Sequence, residues 1–147
     1  MGLTAVVYKR PDAMHFPPGT DLDRMRVDDL TGEVYFDSYP ENLPPHETIE
    51  AKKRFGNISM IAYLREQLAN TVGDATHTLL LIKKVLYNGT HGGDVIPLSE
   101  RGLLKEEVSL VRNRIACQSS PELETFLSSM DELIAASERQ GNPIVFL

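Results

Sequence analysis

Both ends of this 147-residue chain are apolar and rich in strand-forming residues. Leu3–Lys9 reads LTAVVYK, and the last five residues read PIVFL. An exposed Ile-Val-Phe-Leu segment would be an aggregation-prone strand edge. We therefore expect Ile144–Leu147 to pair with the amino-terminal strand in one sheet, so that the fold is closed by its two ends.

A hairpin is predicted in RMRVDDLTGEVYFDSY, residues 24–39. Thr31 and Gly32 supply a tight turn. After the turn, Val34 and Phe36 point to one side while Tyr35 points to the other, which is the period of a half-buried strand.

Helical patterns dominate the rest of the chain. His46–Phe55 consists mostly of good helix formers and predicts a short helix that Gly56 ends. Asn57 is a candidate N-cap for a helix that Gly73 closes. The apolar face of that helix is predicted to contain Ile58, Ile61, Ala62, Leu68 and Val72.

The segment Asp74–Tyr87 fits two structures. Helical spacing favours a helix from about Ala75 to Lys84 that continues into an extended Val85–Tyr87, whereas the apolar runs TLLLI and VLY also suit a buried strand.

Two amphipathic helices follow. The first is predicted to be capped by Ser99 and to bury Leu104, Val108, Val111 and Ile115. The second begins at SSPELE, where serine precedes a proline in the first turn, and ends at Gly141. Its buried face is predicted to hold Leu123, Phe126, Leu127, Met130 and Ile134.

These elements predict one α+β domain over residues 1–147. A small antiparallel or mixed sheet of three to five strands, made of the amino-terminal strand, the hairpin and the carboxyl-terminal strand, packs with four or five helices. No window is long and apolar enough for a membrane span, and the start lacks the order of a secretory signal. We expect a cytoplasmic protein. Cys117, the only cysteine, is expected to be a small half-buried hydrophobe, with a reactive thiol as the alternative.

The negative charge is concentrated in the first third of the chain. Residues 1–50 hold ten acidic and four basic side chains, whereas residues 51–147 hold eleven of each. An acidic field repels nucleic acid and attracts cationic partners. Tyrosines beside carboxylates are typical of an interface that grips a basic protein. The predicted partner-binding residues are Asp21, Asp23, Asp28, Asp29, Tyr35, Asp37 and Tyr39. The alternative is an acidic surface that serves solubility alone.

A second candidate is the polar loop YNGTHGGD, residues 87–94. His91 and Asp94 are near enough in a turn for the carboxylate to orient the imidazole as a base or a ligand. A structural turn in which Asn88 and Asp94 bond their own backbone is the other reading. The loop residues proposed for ligand binding are Tyr87, Asn88, Thr90, His91 and Asp94.

Other chemistry has little support in the sequence. His15, His46 and His77 lie in different segments without the spacing of a metal site. No phosphate-binding loop, nucleophile elbow or zinc-protease motif is present. We expect no metal, no cofactor and no catalytic residue. Lys52-Lys53-Arg54 is interpreted as a solvent-facing run rather than a phosphate clamp.

Several segments, in order, resemble small bacterial proteins of the immunity protein 70 type, which are antitoxins of polymorphic toxin systems. These are the MGL start that opens into a strand, the helix GNISMIAYLREQL, the apolar run with its loop VLYNGTHGGDVIP, and the helix containing LLKEEV. The resemblance covers residues 57–117 and the first ten residues, but not the proline-rich acidic stretch Pro11–Pro45. It implies a non-enzymatic protein that covers the active surface of a toxin, and it carries no residue roles.

The sequence thus predicts an immunity protein that neutralises a cationic toxin, such as a nuclease, through its acidic surface. The alternatives are a small enzyme or ligand-binding domain that uses the 87–94 loop, and a homo-oligomeric structural protein.

Overall fold

The computed structural model describes residues 2–73, 79–115 and 120–147. The fold is α+β, as predicted. Its strands and α-helices, in chain order, are β1 (Leu3–Tyr8), β2 (Met25–Val27), β3 (Val34–Phe36), β4 (Ile49–Gly56), α1 (Ile58–Val72), β5 (Val95–Ile96), α2 (Leu98–Arg114), α3 (Pro121–Gln140) and β6 (Ile144–Phe146). A π-helical segment covers Leu81–Val85, and single turns of 3₁₀ helix cover Pro11–Ala13 and Leu22–Arg24.

The two ends of the chain meet in the main sheet, which confirms the prediction from their apolar character. This antiparallel sheet has the strand order β4-β1-β6-β5, and β1 aligns Ala5 with Phe146 of β6. Alternate residues of β1 face opposite ways, so Ala5 and Val7 join the core beneath the helices while Val6 packs with Val145 on the other side. Both faces of β1 are therefore covered, as its continuous apolar sequence requires.

The three α-helices lie on one side of the sheet and form the main core with it. Local signals set the limits of α3: the Ser120 hydroxyl accepts a hydrogen bond from the Leu123 N–H at 3.2 Å, and Gly141 ends the helix at φ +66°. The predicted buried face of α3 is confirmed residue by residue. In α2, Leu104, Val108 and Val111 are buried as expected, whereas Ile115 follows the end of the helix and is only half-buried.

Two details of the helix predictions need correction. Helix α1 is capped by Asn57 as predicted, but its buried face is formed by Ile61, Leu64, Leu68 and Val72. Ile58 and Ala62 are exposed, because the contact stripe follows the i, i+3, i+7 rows and passes beside them. Helix α2 begins at Leu98 after Pro97, rather than at a Ser99 cap.

The short helix predicted over His46–Phe55 is wrong. The structure has strand β4 there, paired antiparallel with β1. Lys and Glu favour helices when the chain is considered locally. Here, however, β1 needs a partner on its outer side, and charged side chains suit an edge strand exposed to water.

The predicted hairpin exists, but it does not join the main sheet. Strands β2 and β3 form a separate two-stranded sheet. Around it, residues 11–48 make what we call the hairpin lobe, with a small core of its own: Met14, Val34, Phe36 and Leu43, against which Phe16 and Met25 pack. The main sheet instead gains β5, a two-residue strand that the sequence did not indicate.

The segment before the 87–94 loop is helical where the structure describes it. Leu81–Val85 forms a π-helical segment in which the Leu86 N–H donates to the Leu81 carbonyl at 2.8 Å. The predicted extended exit is wrong, since Leu86 has φ −101° and ψ 11°. The start of the predicted helix at 75–78, with His77, and the position of Cys117 lie outside the described residues.

Candidate functional site

The hairpin lobe holds all seven residues predicted to bind a partner. Asp28 and Asp29 lie at the hairpin turn between β2 and β3. The other five lie on or beside these strands and the 3₁₀ turn Leu22–Arg24. The lobe contains nine acidic and two basic side chains, a net charge of −7.

Asp28 differs from the other predicted acids because it builds the turn. Its Oδ1 accepts hydrogen bonds from the backbone N–H groups of Leu30 at 2.9 Å and Thr31 at 2.8 Å. The bond from Thr31 is the main reason that the pKa of Asp28 lies below its ordinary value. A carboxylate committed to holding its own turn has less capacity to bind a partner.

Two other predicted acids are paired with arginines of the lobe. Asp21 lies 3.3 Å from Arg24, and Asp37 lies 3.7 Å from Arg26. Arg26 is also the Cα partner of Tyr35 across the hairpin, so a cation stands in the middle of the predicted acidic surface. The sequence shows that the segment contains these arginines, but it does not show which acids they contact, because the register of the hairpin decides which side chains meet.

Carboxylates without an ion pair, within the part of the chain that the structure describes, give the lobe its uncompensated charge. They are Asp23, Asp29, Glu33 and Glu41, together with Asp28, whose carboxylate is occupied by the hydrogen bonds of the turn. Of the predicted acids, therefore, Asp23 and Asp29 have the character expected of a partner-binding surface, and Glu33 and Glu41 extend the set.

Large apolar side chains are exposed on the same lobe. Five of them expose between 44 and 67% of their surface: Leu22, Val27, Leu30, Tyr35 and Tyr39. Tyr39 packs edge-on against Phe36 with the ring centroids 6.0 Å apart, so its ring is held in place while one side stays open to solvent. It lines a cleft of about 350 Å³ between residues 17–21 and 38–42.

Sequence reasoning missed Leu22, Val27 and Leu30. The signal that could have found them is their position directly beside acids, as in Asp21-Leu22-Asp23. An apolar residue between two charges on a short turn has little chance of being buried.

The hairpin lobe is fastened to the main sheet at its turn. A side-chain carbon placed on Gly32, which has φ +76°, would overlap the side chain of Asn142. The Asn142 amide in turn donates to the Tyr8 carbonyl at 2.7 Å. Burial, followed by the nearby charges of Glu33 and Asp28, raises the pKa of Tyr8. These contacts fix the hairpin turn, and with it the surface of the lobe, relative to the main sheet.

The 87–94 loop brings its predicted residues together in a tight cluster. The rings of Tyr87 and His91 stack with centroids 4.6 Å apart, and Phe146 closes the other side of the imidazole at 4.4 Å. The Tyr87 hydroxyl donates to Asp94 Oδ2. This hydrogen bond is the largest cause of a raised pKa at Tyr87.

His91 is sealed inside this cluster, with 3% of its side chain exposed. Its Nε2 donates to the Val85 carbonyl at 2.8 Å, and a carbonyl only accepts, so the ring hydrogen is on Nε2 when the ring is neutral. Nδ1 lies 3.3 Å from Asp94 Oδ2 but has no hydrogen-bond partner of suitable geometry among the described residues. A base in catalysis must reach its substrate, and neither ring nitrogen is open to one.

The loop residues also hold neighbouring elements. The Gly93 N–H donates to the Phe146 carbonyl at 2.7 Å, and the Phe146 N–H donates to the Asp94 carbonyl at 2.9 Å. Asn88 Oδ1 accepts from the Thr90 N–H at 3.1 Å, and the Arg65 guanidinium donates to the Tyr87 carbonyl at 3.0 Å. The geometry of the loop thus favours a structural role in securing β6.

Metal binding and membrane insertion find no support in the described residues. Within 2–73, 79–115 and 120–147, no group of three or more His, Cys, Asp or Glu side chains is arranged to hold a metal ion. In the same ranges, no helix combines the length and apolar character that crossing a bilayer requires.

Comparisons with protein-family models, curated proteins and solved structures found no match to this chain.

Proposed function

We propose that this chain is a cytoplasmic immunity protein that binds and neutralises a cationic toxin domain through the hairpin lobe. The observation that carries the proposal is the coincidence, on one lobe, of exposed large apolar side chains with carboxylates that have no ion pair among the described residues. The resemblance of residues 57–117 to immunity proteins points in the same direction. The proposal needs no cofactor and no catalytic residue.

The tyrosines supply the contact energy in this proposal. Tyr35 stands on the outer face of β3, and Tyr39 is held by Phe36 at the rim of the cleft. Aromatic side chains held in place before binding lose little freedom on contact and are frequent binding hot spots. Leu22, Val27 and Leu30 would add apolar area around them.

The carboxylates supply attraction and orientation. The net charge of the lobe, −7, exceeds the net charge of the whole chain, −6, so a basic partner is drawn towards the lobe. Exposed ion pairs contribute little affinity, and steering of this kind acts on the association rate, which salt reduces. Arg24 and Arg26 reduce the negative potential of the lobe near them. They also offer positive charges to which acidic side chains of the partner can bind.

The test is neutralisation of a toxin encoded beside this chain. Expression of the product of the neighbouring reading frame should arrest growth, and co-expression of this chain should restore it. The double variant Tyr35→Ala/Tyr39→Ala should lose rescue and weaken binding of the purified proteins by roughly 30-fold or more.

The matched control is Tyr63→Ala, because Tyr63 is a partly exposed tyrosine on α1, away from the lobe. It should rescue growth like the unmodified chain. Equal rescue by the double variant would remove the hairpin lobe from the proposal, and failure of the unmodified chain to bind that product would contradict the proposed partner.

A further inference from the structure

Strand β4 is a long strand at the edge of the main sheet. It spans eight residues, and within the described residues it pairs with β1 alone. The outer side of such a strand presents backbone N–H and C=O groups that another extended chain can pair with. The surroundings of β4 decide which chain would fit.

One face of β4 carries two cations without an ion pair in the part of the chain that the structure describes. Lys52 is the Cα partner of Val6, and Arg54 is the Cα partner of Thr4, so their side chains emerge on the same face. Both are exposed, and neither forms an ion pair with a described residue. Lys53, between them, points the other way and pairs with Glu132 of α3.

The opposite face of the same edge opens into two cavities beside α3. The first, of about 220 Å³, is more apolar than polar. It is lined by Phe55, Met60, Leu64 and Phe126, together with polar residues that include Arg54 and Glu122. The second, of about 360 Å³, is polar. Its charged lining residues are Lys52, Lys53, Arg139, Glu50 and Glu132, and the two glutamates pair with Arg139 and Lys53. Phe55 lines the first cavity and Lys53 lines the second. These two residues alternate on β4, so they lie roughly 6–7 Å apart along the edge.

We propose that the β4 edge binds an extended acidic peptide by strand addition. Side chains on one face of the peptide would meet the apolar cavity at Phe55 and the polar cavity at Lys53, while acidic side chains on its other face would meet Lys52 and Arg54. The backbone ladder would supply affinity, and the alternation of apolar and acidic residues would supply specificity. This site is separate from the hairpin lobe and does not depend on its function.

A second copy of the chain fits this edge less well. When two β4 strands pair antiparallel about their middle, the Lys52–Arg54 run of one copy lies against the same run of the other. Like charges directly opposite each other destabilise a strand pair. The same charges therefore attract an acidic peptide and oppose self-association.

The experiment uses fluorescein-labelled heptapeptides that alternate glutamate with phenylalanine or valine, with binding measured by fluorescence anisotropy. The acidic peptide should bind, and the same peptide with lysine in place of glutamate should not. The variant Lys52→Glu/Arg54→Glu should bind about tenfold more weakly or worse. Lys105→Glu, a charge reversal on the exposed face of α2, should bind like the unmodified chain.

Two further probes separate strand addition from simple charge attraction. Both are N-methylated versions of the acidic peptide. In the first, the backbone amides that point to one edge of the strand are methylated, and in the second, those that point to the other edge are methylated. One of these should lose binding while its twin retains it. Thr125 is exposed and lines the apolar cavity. The variant Thr125→Trp should weaken binding of the peptide with phenylalanine more than binding of the same peptide with alanine in place of phenylalanine.

Each contrary result overturns the proposal in a defined way. Absence of binding would leave Lys52 and Arg54 as charges that only protect the edge. Equal binding of both methylated peptides would exclude strand pairing. A dimer in sedimentation that does not bind the acidic peptide would assign the edge to a second copy.

Discussion

Glu107 of α2 is a buried carboxylate whose role lies outside its own helix. Its two oxygens accept the backbone N–H groups of Leu80 at 2.9 Å and Leu81 at 3.1 Å. The start of the π-helical segment is thereby capped by a residue more than twenty positions away. Burial raises the pKa of Glu107 despite these two bonds and the nearby charge of Lys83, which act in the opposite direction.

The raised pKa predicts a pH dependence of stability. A carboxyl group whose pKa is higher in the folded than in the unfolded chain stabilises the fold fully below its unfolded value, here 4.5. That contribution is lost as the pH rises through the folded value. We expect the free energy of unfolding of the native chain, relative to Glu107→Gln, to fall as the pH rises through this window, as measured by urea denaturation.

The control for this prediction is Glu106→Gln, because Glu106 is the exposed neighbour of Glu107 on α2. Its difference from the native chain should not vary with pH in the same window. A constant difference for Glu107→Gln as well would mean that Glu107 titrates alike in the folded and unfolded chain.

Residue-level features were predictable from the sequence when their causes were local. Asn57, Ser120 and Gly141 each act within three or four residues of their position, so cap patterns identify them. Glu107 was not predictable, because its backbone partners are distant in the sequence. The same holds for Arg26, whose place among the acids depends on hairpin register.

At the level of elements, β4 shows where local propensity fails. Its sequence favours a helix when considered alone, and only its place beside β1 makes it a strand. The strands at the two ends of the chain were predictable, because short apolar segments rich in strand-forming residues can be buried in few ways other than in a sheet. The two-residue strand β5 is too short to leave a periodic signal.

The hairpin turn offers a direct test of how the lobe is attached. Gly32→Ala should destabilise the protein by about 1–3 kcal/mol, because the new methyl group both strains a positive φ and overlaps Asn142. Gly19→Ala is the matched control, since Gly19 has φ +83° with open space around it. Its cost should be limited to backbone strain, about 1 kcal/mol.

Thermal denaturation of the two variants measures this difference. If Gly32→Ala and Gly19→Ala are equally stable, the contact between the turn and Asn142 contributes nothing to the attachment of the lobe.

At the scale of the whole molecule, the lobe and the main core are distinct hydrophobic clusters. The small core of the lobe depends on Phe36, whose ring meets Phe16 at 6.1 Å and Tyr39 at 6.0 Å. Regions with few buried contacts open at lower free energy than the rest of a protein. The proposed binding surface is therefore carried by the less stable part of the molecule.

Hydrogen exchange should resolve the two clusters. Phe36→Ala should speed amide exchange within residues 11–48 by roughly 100-fold, the equivalent of about 3 kcal/mol, and should leave α1, α2 and α3 protected. Phe126→Ala, which removes the partner of Phe55 in the main core, should lower protection in all of these elements. Uniform loss of protection in Phe36→Ala would show that the lobe and core unfold together.

The candidate surface was only partly predictable at this scale. The one-sided charge could be read directly from the sequence, and it correctly locates the acids on one lobe. The pairing of acids with arginines, the cleft beside Tyr39 and the cavities beside β4 arise from contacts between distant segments. No local pattern contains them.

Strand β6 lies between β1 and β5 although it is the last of these strands in the sequence. During synthesis on the ribosome, β1 and β4 emerge first, while the inner edge of β1 has no neighbour until residues 144–146 have been made. Translation of the intervening chain takes on the order of ten seconds. For that interval the nascent chain carries an open apolar edge, so we expect it to depend on chaperones until β6 has paired with β1.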